Sequence, residues 1–154
     1  MESNIRKELV VSAIENGTVI DHIPAKSVFR VVKMLNLDQT EGQITIGFNL
    51  ESKKYGRKGI IKASGQFFKK RDADKIALIA PTATIITIKN YEVVNKQQVE
   101  IPDTIEQFVK CVNPNCITNH QQITTKFNVI DKDDLKLQCQ YCEKITGKNN
   151  IEML

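Results

Sequence analysis

The sequence has 154 residues, a mass of 17.5 kDa and a formal net charge of +4, and its 41% hydrophobic and 26% charged content is typical of globular proteins. No run approaches the roughly 20 consecutive apolar residues of a membrane-spanning helix, which excludes such a helix. Residues 1–8 are polar and charged and contain no apolar signal-peptide core, so we expect a cytoplasmic protein.

The first predicted elements are a hairpin and a helix. Residues 9–14 form an apolar run, and Asn16-Gly17 separates them from a second run, which is typical of a two-residue hairpin turn. Pro24 then occupies a position at which a helix can begin. An apolar stripe at helical spacing predicts this helix, and it consists of Val28, Val31, Val32 and Leu35. Phe29 and Met34 widen the stripe.

A strand pair, a second helix and a final strand follow. Apolar and polar residues alternate over residues 44–50, which predicts a half-buried strand, and residues 59–63 form its returning partner. Asp72 is expected to cap a helix that ends at the next proline. Residues 83–89 are rich in β-branched side chains and predict a strand that runs on toward residues 91–94.

This element order, β–α–β–β–α–β with a hairpin added in the first unit, indicates a split βαβ or ferredoxin-like fold. We therefore predict an α+β protein whose N-terminal domain, residues 1–100, is an antiparallel sheet with two helices on one face. Residues 95–102 are polar, contain a proline and are interpreted as a linker. Residues 101–154 form a second, small domain.

All four cysteines lie in this second domain, at the spacing Cys-x4-Cys-x22-Cys-x2-Cys. Two short loops with two cysteines each supply the four thiolates that a tetrahedral zinc ion requires. A complete thiolate shell leaves no position for water or substrate, so we expect one structural zinc ion per chain and a zinc-bound antiparallel β domain. The predicted metal ligands are Cys111, Cys116, Cys139 and Cys142.

Two other interpretations of the cysteines are possible, namely two disulfide bonds and a redox Cys-x2-Cys site. Disulfides are rare in cytosolic proteins, and no βαβ unit surrounds Cys139. His120 lies between the cysteine pairs and is interpreted as a loop residue, because four cysteines already complete the site. Strand-like alternation at residues 124–130 and 135–139, on either side of a charged turn, completes the predicted zinc-bound sheet.

Charge is distributed unequally between the two parts of the chain. Residues 1–96 have 16 Lys and Arg against 10 Asp and Glu, whereas residues 97–154 have 6 against 8. The segment 53–71 contains eight basic residues and no acidic one, which indicates either a solvated face or a polyanion site.

No phosphate-binding glycine loop and no plausible catalytic triad occur, so we expect a protein that is not an enzyme. A zinc-ribbon nucleic-acid-binding protein is the alternative, although the net negative cysteine domain is unfavourable for it.

Several motifs occur in order along nearly the whole chain, namely Gly17-Thr18-Val19-Ile20-Asp21-His22-Ile23-Pro24, Gly56-Arg57-Lys58 with Lys62, Asn90-Tyr91-Glu92-Val93-Val94, Cys-Val-Asn-Pro-Asn-Cys and Cys-Gln-Tyr-Cys-Glu. Together they closely resemble the regulatory chain family of aspartate carbamoyltransferase. The resemblance implies a non-catalytic regulatory subunit in pyrimidine biosynthesis. Its allosteric domain would bind CTP and UTP as inhibitors or ATP as activator, and its zinc domain would contact the catalytic chain.

The resemblance also implies an assembly and a set of nucleotide-binding residues. The regulatory chain would form a homodimer, within a dodecamer of two catalytic trimers and three regulatory dimers, with no nucleic-acid or membrane partner. Asp21 and Lys62 would hold the ribose, while His22 and Lys96 would contact phosphates and Lys58 would lie nearby. The backbone of Ala13, Ile14 and Tyr91 would recognise the base, with Val11, Val19 and Val93 lining the pocket.

Three positions depart from the best-known members of the family. Ser12, beside the implied nucleotide pocket, replaces an acidic residue, and Ile86 replaces an asparagine. In the zinc domain, Gln140 replaces a lysine. The implied interface with the catalytic chain consists of Asn113, Asn115, Tyr141 and Glu143.

Overall fold

The computed structural model describes residues 13–53 and 56–154, and the chain divides into two compact units between Val99 and Glu100. Residues 9–12 of the apolar run 9–14 in the predicted hairpin, and with them Val11 and Ser12, lie outside the described residues. Ala13 and Ile14 have no regular secondary structure, and Gly17 already belongs to the first strand.

The first unit contains five strands and two α-helices among its described residues. The strands are β1 (Gly17–Pro24), β2 (Ile44–Ser52), β3 (Gly56–Ser64), β4 (Thr84–Lys89) and β5 (Glu92–Gln98). The helices are α1 (Val28–Met34), which follows a 3-10 turn at Ala25–Ser27, and α2 (Lys70–Ile79).

These strands form one antiparallel sheet in the order β2-β3-β1-β4-β5. The first four strands have the ferredoxin-like arrangement, which confirms the predicted fold class, and β5 is added as an edge strand. Gly59, Ile61 and Ala63 alternate along β3 toward the core, and a Cβ at Gly59 would overlap Val28 of α1. Helix α1 therefore covers this face of the sheet, and α2 packs against α1.

The prediction that residues 83–94 form one continuous strand was wrong. Asn90 and Tyr91 have φ angles of 52° and 67°, which reverse the chain between β4 and β5. Consecutive left-handed residues produce a tight hairpin turn, and asparagine tolerates this conformation better than most residues. The predicted linker was likewise too long, because residues 95–98 pair with β4 as part of β5.

Three details of the predicted elements also differ in the structure. Asp72 occupies the third position of α2, and its carboxylate accepts a hydrogen bond from the Lys69 N–H, 3.0 Å away. Phe29 and Phe48 were expected to be at least partly buried, but they are 57% and 51% exposed. Their rings are 5.5 Å apart, so they form an apolar patch outside the core.

The second unit is a set of short β-strands around a small core. Strands β6 (Thr104–Glu106), β8 (Lys126–Asp131), β9 (Lys136–Cys139) and β10 (Ile145–Gly147) form an antiparallel sheet in the order β10-β9-β8-β6. Strands β7 (Val109–Lys110) and β11 (Glu152–Met153) form a separate pair. The predicted β8–β9 pair is confirmed, whereas the other four strands are too short for a periodic signal. The core contains Ile105, Val109, Phe127, Leu137 and Ile151.

Among the described residues, the longest helix is α2, with 10 residues, and none is long and apolar enough to cross a membrane.

Candidate functional site

The two cysteine pairs meet at one point of the second unit. Cys111 follows β7 and Cys116 precedes the 3-10 turn Ile117–Asn119, whereas Cys139 ends β9 and Cys142 lies in the turn to β10. The four Sγ atoms lie within 4.8 Å of one another, and all four cysteines are free of disulfide bonds. The structure therefore favours the metal-site interpretation over the disulfide interpretation.

Sulfur spacing fits a tetrahedral metal. The Sγ atoms of Cys111 and Cys142 are 3.6 Å apart, and those of Cys116 and Cys139 are 3.7 Å apart. A tetrahedron with metal–sulfur bonds of about 2.3 Å has edges of about 3.8 Å, close to both values. The residues present thus fit a four-thiolate metal centre, and one ion would join the two cysteine loops.

Burial and hydrogen bonds together shift the pKa values of the thiols in this cluster. It raises the pKa of Cys111 to about 12 and also raises the pKa of Cys139. For Cys142 burial acts in the same direction, but hydrogen bonds from Asn113 and from the Lys144 backbone outweigh it and lower the pKa to about 7. A cation at the centre would supply the charge that stabilises four neighbouring thiolates.

Residues outside the ligand set support the sulfur atoms. The Thr118 hydroxyl donates a hydrogen bond to Cys116 Sγ at 3.2 Å, and the Tyr141 N–H donates to Cys139 Sγ at 3.4 Å. His120 is not part of the cysteine cluster, and its Nε2 lies 2.7 Å from the Pro114 carbonyl oxygen. The contact of Thr118 is not predictable from the cysteine spacing, because a hydroxyl two residues after a cysteine has no distinctive sequence pattern.

A second candidate site lies on the face of the first unit's sheet that α1 leaves uncovered. Val19 of β1 pairs with Lys62 of β3 and with Ile86 of β4, which in turn pairs with Lys96 of β5. Directly paired residues share a face, so these four side chains form one row across the sheet, called here the lysine row. Three strand spacings of about 4.8 Å place its two lysine Cα atoms about 14 Å apart.

Asp21 and His22 lie beside the lysine row, at a bulge in β1. His22 has a φ of 57°, and its N–H donates a hydrogen bond to Asp21 Oδ1 at 2.7 Å. The same Asp21 oxygen accepts a hydrogen bond from Lys58 Nζ at 2.8 Å. His22 Nδ1 lies 3.3 Å from the Thr84 hydroxyl oxygen. The Asp21 carboxylate thus stabilises the bulge and orients Lys58 at one end of this face.

The remaining predicted nucleotide residues are distributed around this face. Val93 pairs with Ile88 and shares the face of the lysine row, while Val19 is only 5% exposed. Tyr91 is exposed in the hairpin turn, and its N–H donates a hydrogen bond to the Glu15 carbonyl oxygen at 2.9 Å. Ala13 is exposed and Ile14 half-buried immediately before β1. The described set therefore surrounds one side of the sheet.

We expect the half-buried Asp21–Lys58 pair to stabilise the first unit in a pH-dependent way. Burial raises the pKa of Asp21, but the hydrogen bond and charge of Lys58 outweigh it, so the pKa lies below 3.8. A depressed carboxyl pKa contributes stability above 3.8 that is lost as pH falls through the folded value. Asp21→Asn should reduce the free energy of unfolding at pH 7 by about 1–3 kcal/mol.

Denaturation followed by the NMR signals of β1 amides tests this prediction for the first unit alone. The difference between the original chain and Asp21→Asn should shrink as pH falls below 3.8. A difference that is constant from pH 7 to pH 2.5 would contradict a role for the ionised carboxylate.

Comparisons with known proteins cover both units of the chain. Residues 9–100 match the family model of the aspartate carbamoyltransferase regulatory chain, allosteric domain, and residues 103–152 match its metal binding domain. The aspartate carbamoyltransferase regulatory chain of Pyrococcus horikoshii is 50% identical over 146 residues, covering 94% of this chain and 96% of the relative. That of Bacteroides thetaiotaomicron is 47% identical over 152 residues, covering 99% of each chain. This chain belongs to the aspartate carbamoyltransferase regulatory chain family.

Membership confirms the family resemblance and fixes the general role of each unit. The chain is a regulatory subunit with an allosteric domain and a metal-binding domain, and it associates with a separate catalytic chain that carries the enzyme activity. The four-cysteine cluster lies within the segment that matches the metal binding domain. The lysine row lies within the segment that matches the allosteric domain.

Proposed function

We propose that this chain binds nucleoside triphosphates on the sheet face opposite α1 and thereby controls carbamoyl transfer by the catalytic chain in cytoplasmic pyrimidine biosynthesis. CTP and UTP are the inhibitors and ATP is the activator. The lysine row is the observation that carries this proposal, because it combines an apolar centre with an ammonium group on each side.

This face carries groups that can bind the base, the ribose and the phosphates of a nucleotide. Val19 and Ile86 lie between the two lysines, of which Lys96 supplies a point charge that attracts phosphates. A separation of about 14 Å between lysine Cα atoms suits an extended ligand of nucleotide size. Asp21 and Lys62 hold the ribose, and His22 and Lys96 hold phosphates, with Lys58 nearby. The base is recognised by the backbone of Ala13, Ile14 and Tyr91, beside Val11, Ser12, Val19 and Val93.

The bound metal is zinc, one ion per chain, and its role is structural. Zinc prefers a closed tetrahedral shell of thiolates at structural sites, and the cysteine cluster provides four. When bound, the ion supplies the cross-link between the two cysteine loops. Cys111, Cys116, Cys139 and Cys142 are its ligands.

The surface beside the metal contacts the catalytic chain. Tyr141 is 42% exposed and follows the ligand Cys139 by two residues, while Asn115 immediately precedes the ligand Cys116. Glu143 is exposed in the same turn, with a φ of 65°. Asn113 and these three residues therefore form a surface whose shape depends on the metal. Binding there couples metal occupancy to assembly.

The chain also forms a homodimer, within a dodecamer of two catalytic trimers and three regulatory dimers. Strand β2 is an edge of the sheet, and Phe48 on this strand packs beside Phe29 in an exposed apolar patch. Exposed apolar edges pair readily with a second chain. The patch and the edge together provide the dimer interface.

We expect Phe48→Asp to convert the dimer into a monomer, because a buried unpaired carboxylate opposes association. Sedimentation velocity of the zinc-loaded chain at micromolar concentrations measures the change. Phe67→Asp is the matched control, since Phe67 is equally exposed but lies on the loop before α2. Equal dimerisation of both variants and the original chain would place the interface elsewhere.

Calorimetric titration of the zinc-loaded chain with CTP, UTP and ATP tests the nucleotide proposal. Heats that saturate at one nucleotide per binding face, and that weaken with added salt, would support it. The absence of binding by all three nucleotides would remove the allosteric proposal while leaving the fold and the family unchanged.

A further inference from the structure

Asn119 occupies a central position behind the first cysteine loop, which runs from Cys111 to Cys116. Its side-chain Nδ2 donates hydrogen bonds to the Cys111 carbonyl oxygen at 2.9 Å and to the Asn113 carbonyl oxygen at 2.7 Å. Its backbone N–H donates to the Cys116 carbonyl oxygen at 2.9 Å. One residue therefore contacts both ends of the loop that carries two of the four sulfur atoms.

The chemistry of these contacts requires a primary amide. Two carbonyl oxygens converge on one nitrogen, and an NH2 group can give one proton to each of them. A carboxylate of the same size would instead face two acceptors with no proton to share. Asn119 is half-buried, and partial burial strengthens both hydrogen bonds of its amide. If the amide is removed, water can only partly replace these two hydrogen bonds.

We infer that Asn119 is a positioning residue for the metal centre: its amide fixes the first cysteine loop and so sets how tightly the chain retains its metal. The inference deepens the proposed zinc site and rests on it. Outer residues that orient metal ligands typically change metal affinity 10–100-fold when they are replaced. The same loop carries Asn113 and Asn115, so its geometry also determines how the proposed partner surface is displayed.

Two substitutions in the full chain distinguish an amide role from a packing role. Asn119→Asp keeps the volume but replaces the donor by an acceptor, whereas Asn119→Ala removes the group. We expect zinc transfer to a chromogenic chelator to be at least tenfold faster in Asn119→Ala, and faster still in Asn119→Asp. Gln122→Glu, at an exposed position three residues further along the chain, controls for the added charge and should match the original chain.

Cobalt substitution supplies a readout of the site itself. The thiolate-to-cobalt and d–d absorption bands should be shifted or weakened in both Asn119 variants and unchanged in Gln122→Glu. Circular dichroism with saturating zinc establishes that each variant folds, and the aspartate variant at matched volume carries the test if the alanine variant does not. Asn119→Asp with the metal release and cobalt spectrum of the original chain would overturn the inference. These readouts need no nucleotide and no catalytic chain, so they fail or succeed independently of the effector proposal.

Discussion

Removal of the metal is expected to unfold residues 100–154 and to abolish binding to the catalytic chain. This unit is small, and its core is limited to a few side chains such as Phe127 and Leu137. Domains of this size bury a small share of their apolar surface and are only marginally stable by themselves. Structural zinc contributes about 10–16 kcal/mol in small zinc-dependent peptides, far more than such a core can replace.

Chelation followed by near-ultraviolet circular dichroism and by hydrogen exchange measures this effect. Protection of amides in β8 and β9 should be lost without metal and restored when zinc is added. Cys139→Ser should reproduce the loss at ordinary zinc concentrations, because it removes one of the four sulfur ligands.

The first unit provides an internal control in the same experiment. The four-cysteine cluster lies entirely in the second unit, so amides of β1 and β3 should keep their protection. Folded β8 and β9 in the metal-free chain would contradict a structural role for the metal. Simultaneous loss of protection in both units would contradict their independent folding.

Loss of either lysine of the lysine row is the second large effect that we expect. Lys62→Ala or Lys96→Ala should weaken nucleoside triphosphate binding by about 10–100-fold, because hydrogen bonds to charged groups contribute about 1.5–3 kcal/mol each. For Lys96→Ala the loss should be larger for triphosphates than for the corresponding nucleosides, which lack the anionic groups, whereas Lys62→Ala removes a ribose contact and should weaken the binding of both. Calorimetry on zinc-loaded chains at two salt concentrations measures both differences.

Lys33→Ala is the matched control for these variants. Lys33 is an exposed lysine of α1 that forms an ion pair with Asp38 at 3.1 Å, so the substitution removes the same charge from the helix-covered side. Its affinity for nucleotides should remain within twofold of the original value, since its ammonium group is outside the lysine row. Equal losses in all three variants would indicate a nonspecific effect of net charge and contradict a defined site.

The fold was largely predictable because its signals are local and periodic. The apolar stripe Val28, Val31 and Val32 is buried as the helical spacing predicted, and the β2–β3 hairpin follows from strand alternation. The prediction of one continuous strand over residues 83–94 was wrong because β-branched side chains favour a strand but do not indicate where the chain turns. The reversal at Asn90 and Tyr91 depends on two left-handed residues, and the sequence signal for that is weak when glycine is absent.

The two sites differed in how much the sequence revealed. Cysteine spacing located the metal centre because metal ligation requires particular residue types at short intervals. The Asp21–Lys58 ion pair joins residues 37 positions apart, and the role of Asn119 depends on where two carbonyl oxygens converge. Neither contact has a sequence pattern, because each arises only after strands or loops are packed together.

The proposed regulation requires that nucleotide binding to this chain control the activity of the catalytic chain. Allosteric coupling requires that an effector favour one of two assembly states, typically by about 1–3 kcal/mol. The most direct measurement mixes the zinc-loaded chain with isolated catalytic trimers and follows carbamoyl transfer to aspartate with CTP, UTP or ATP present. We expect a larger complex whose activity falls with CTP or UTP and rises with ATP, and whose responses disappear with Lys62→Ala. A zinc-dependent complex whose activity is the same with and without every nucleotide would contradict it.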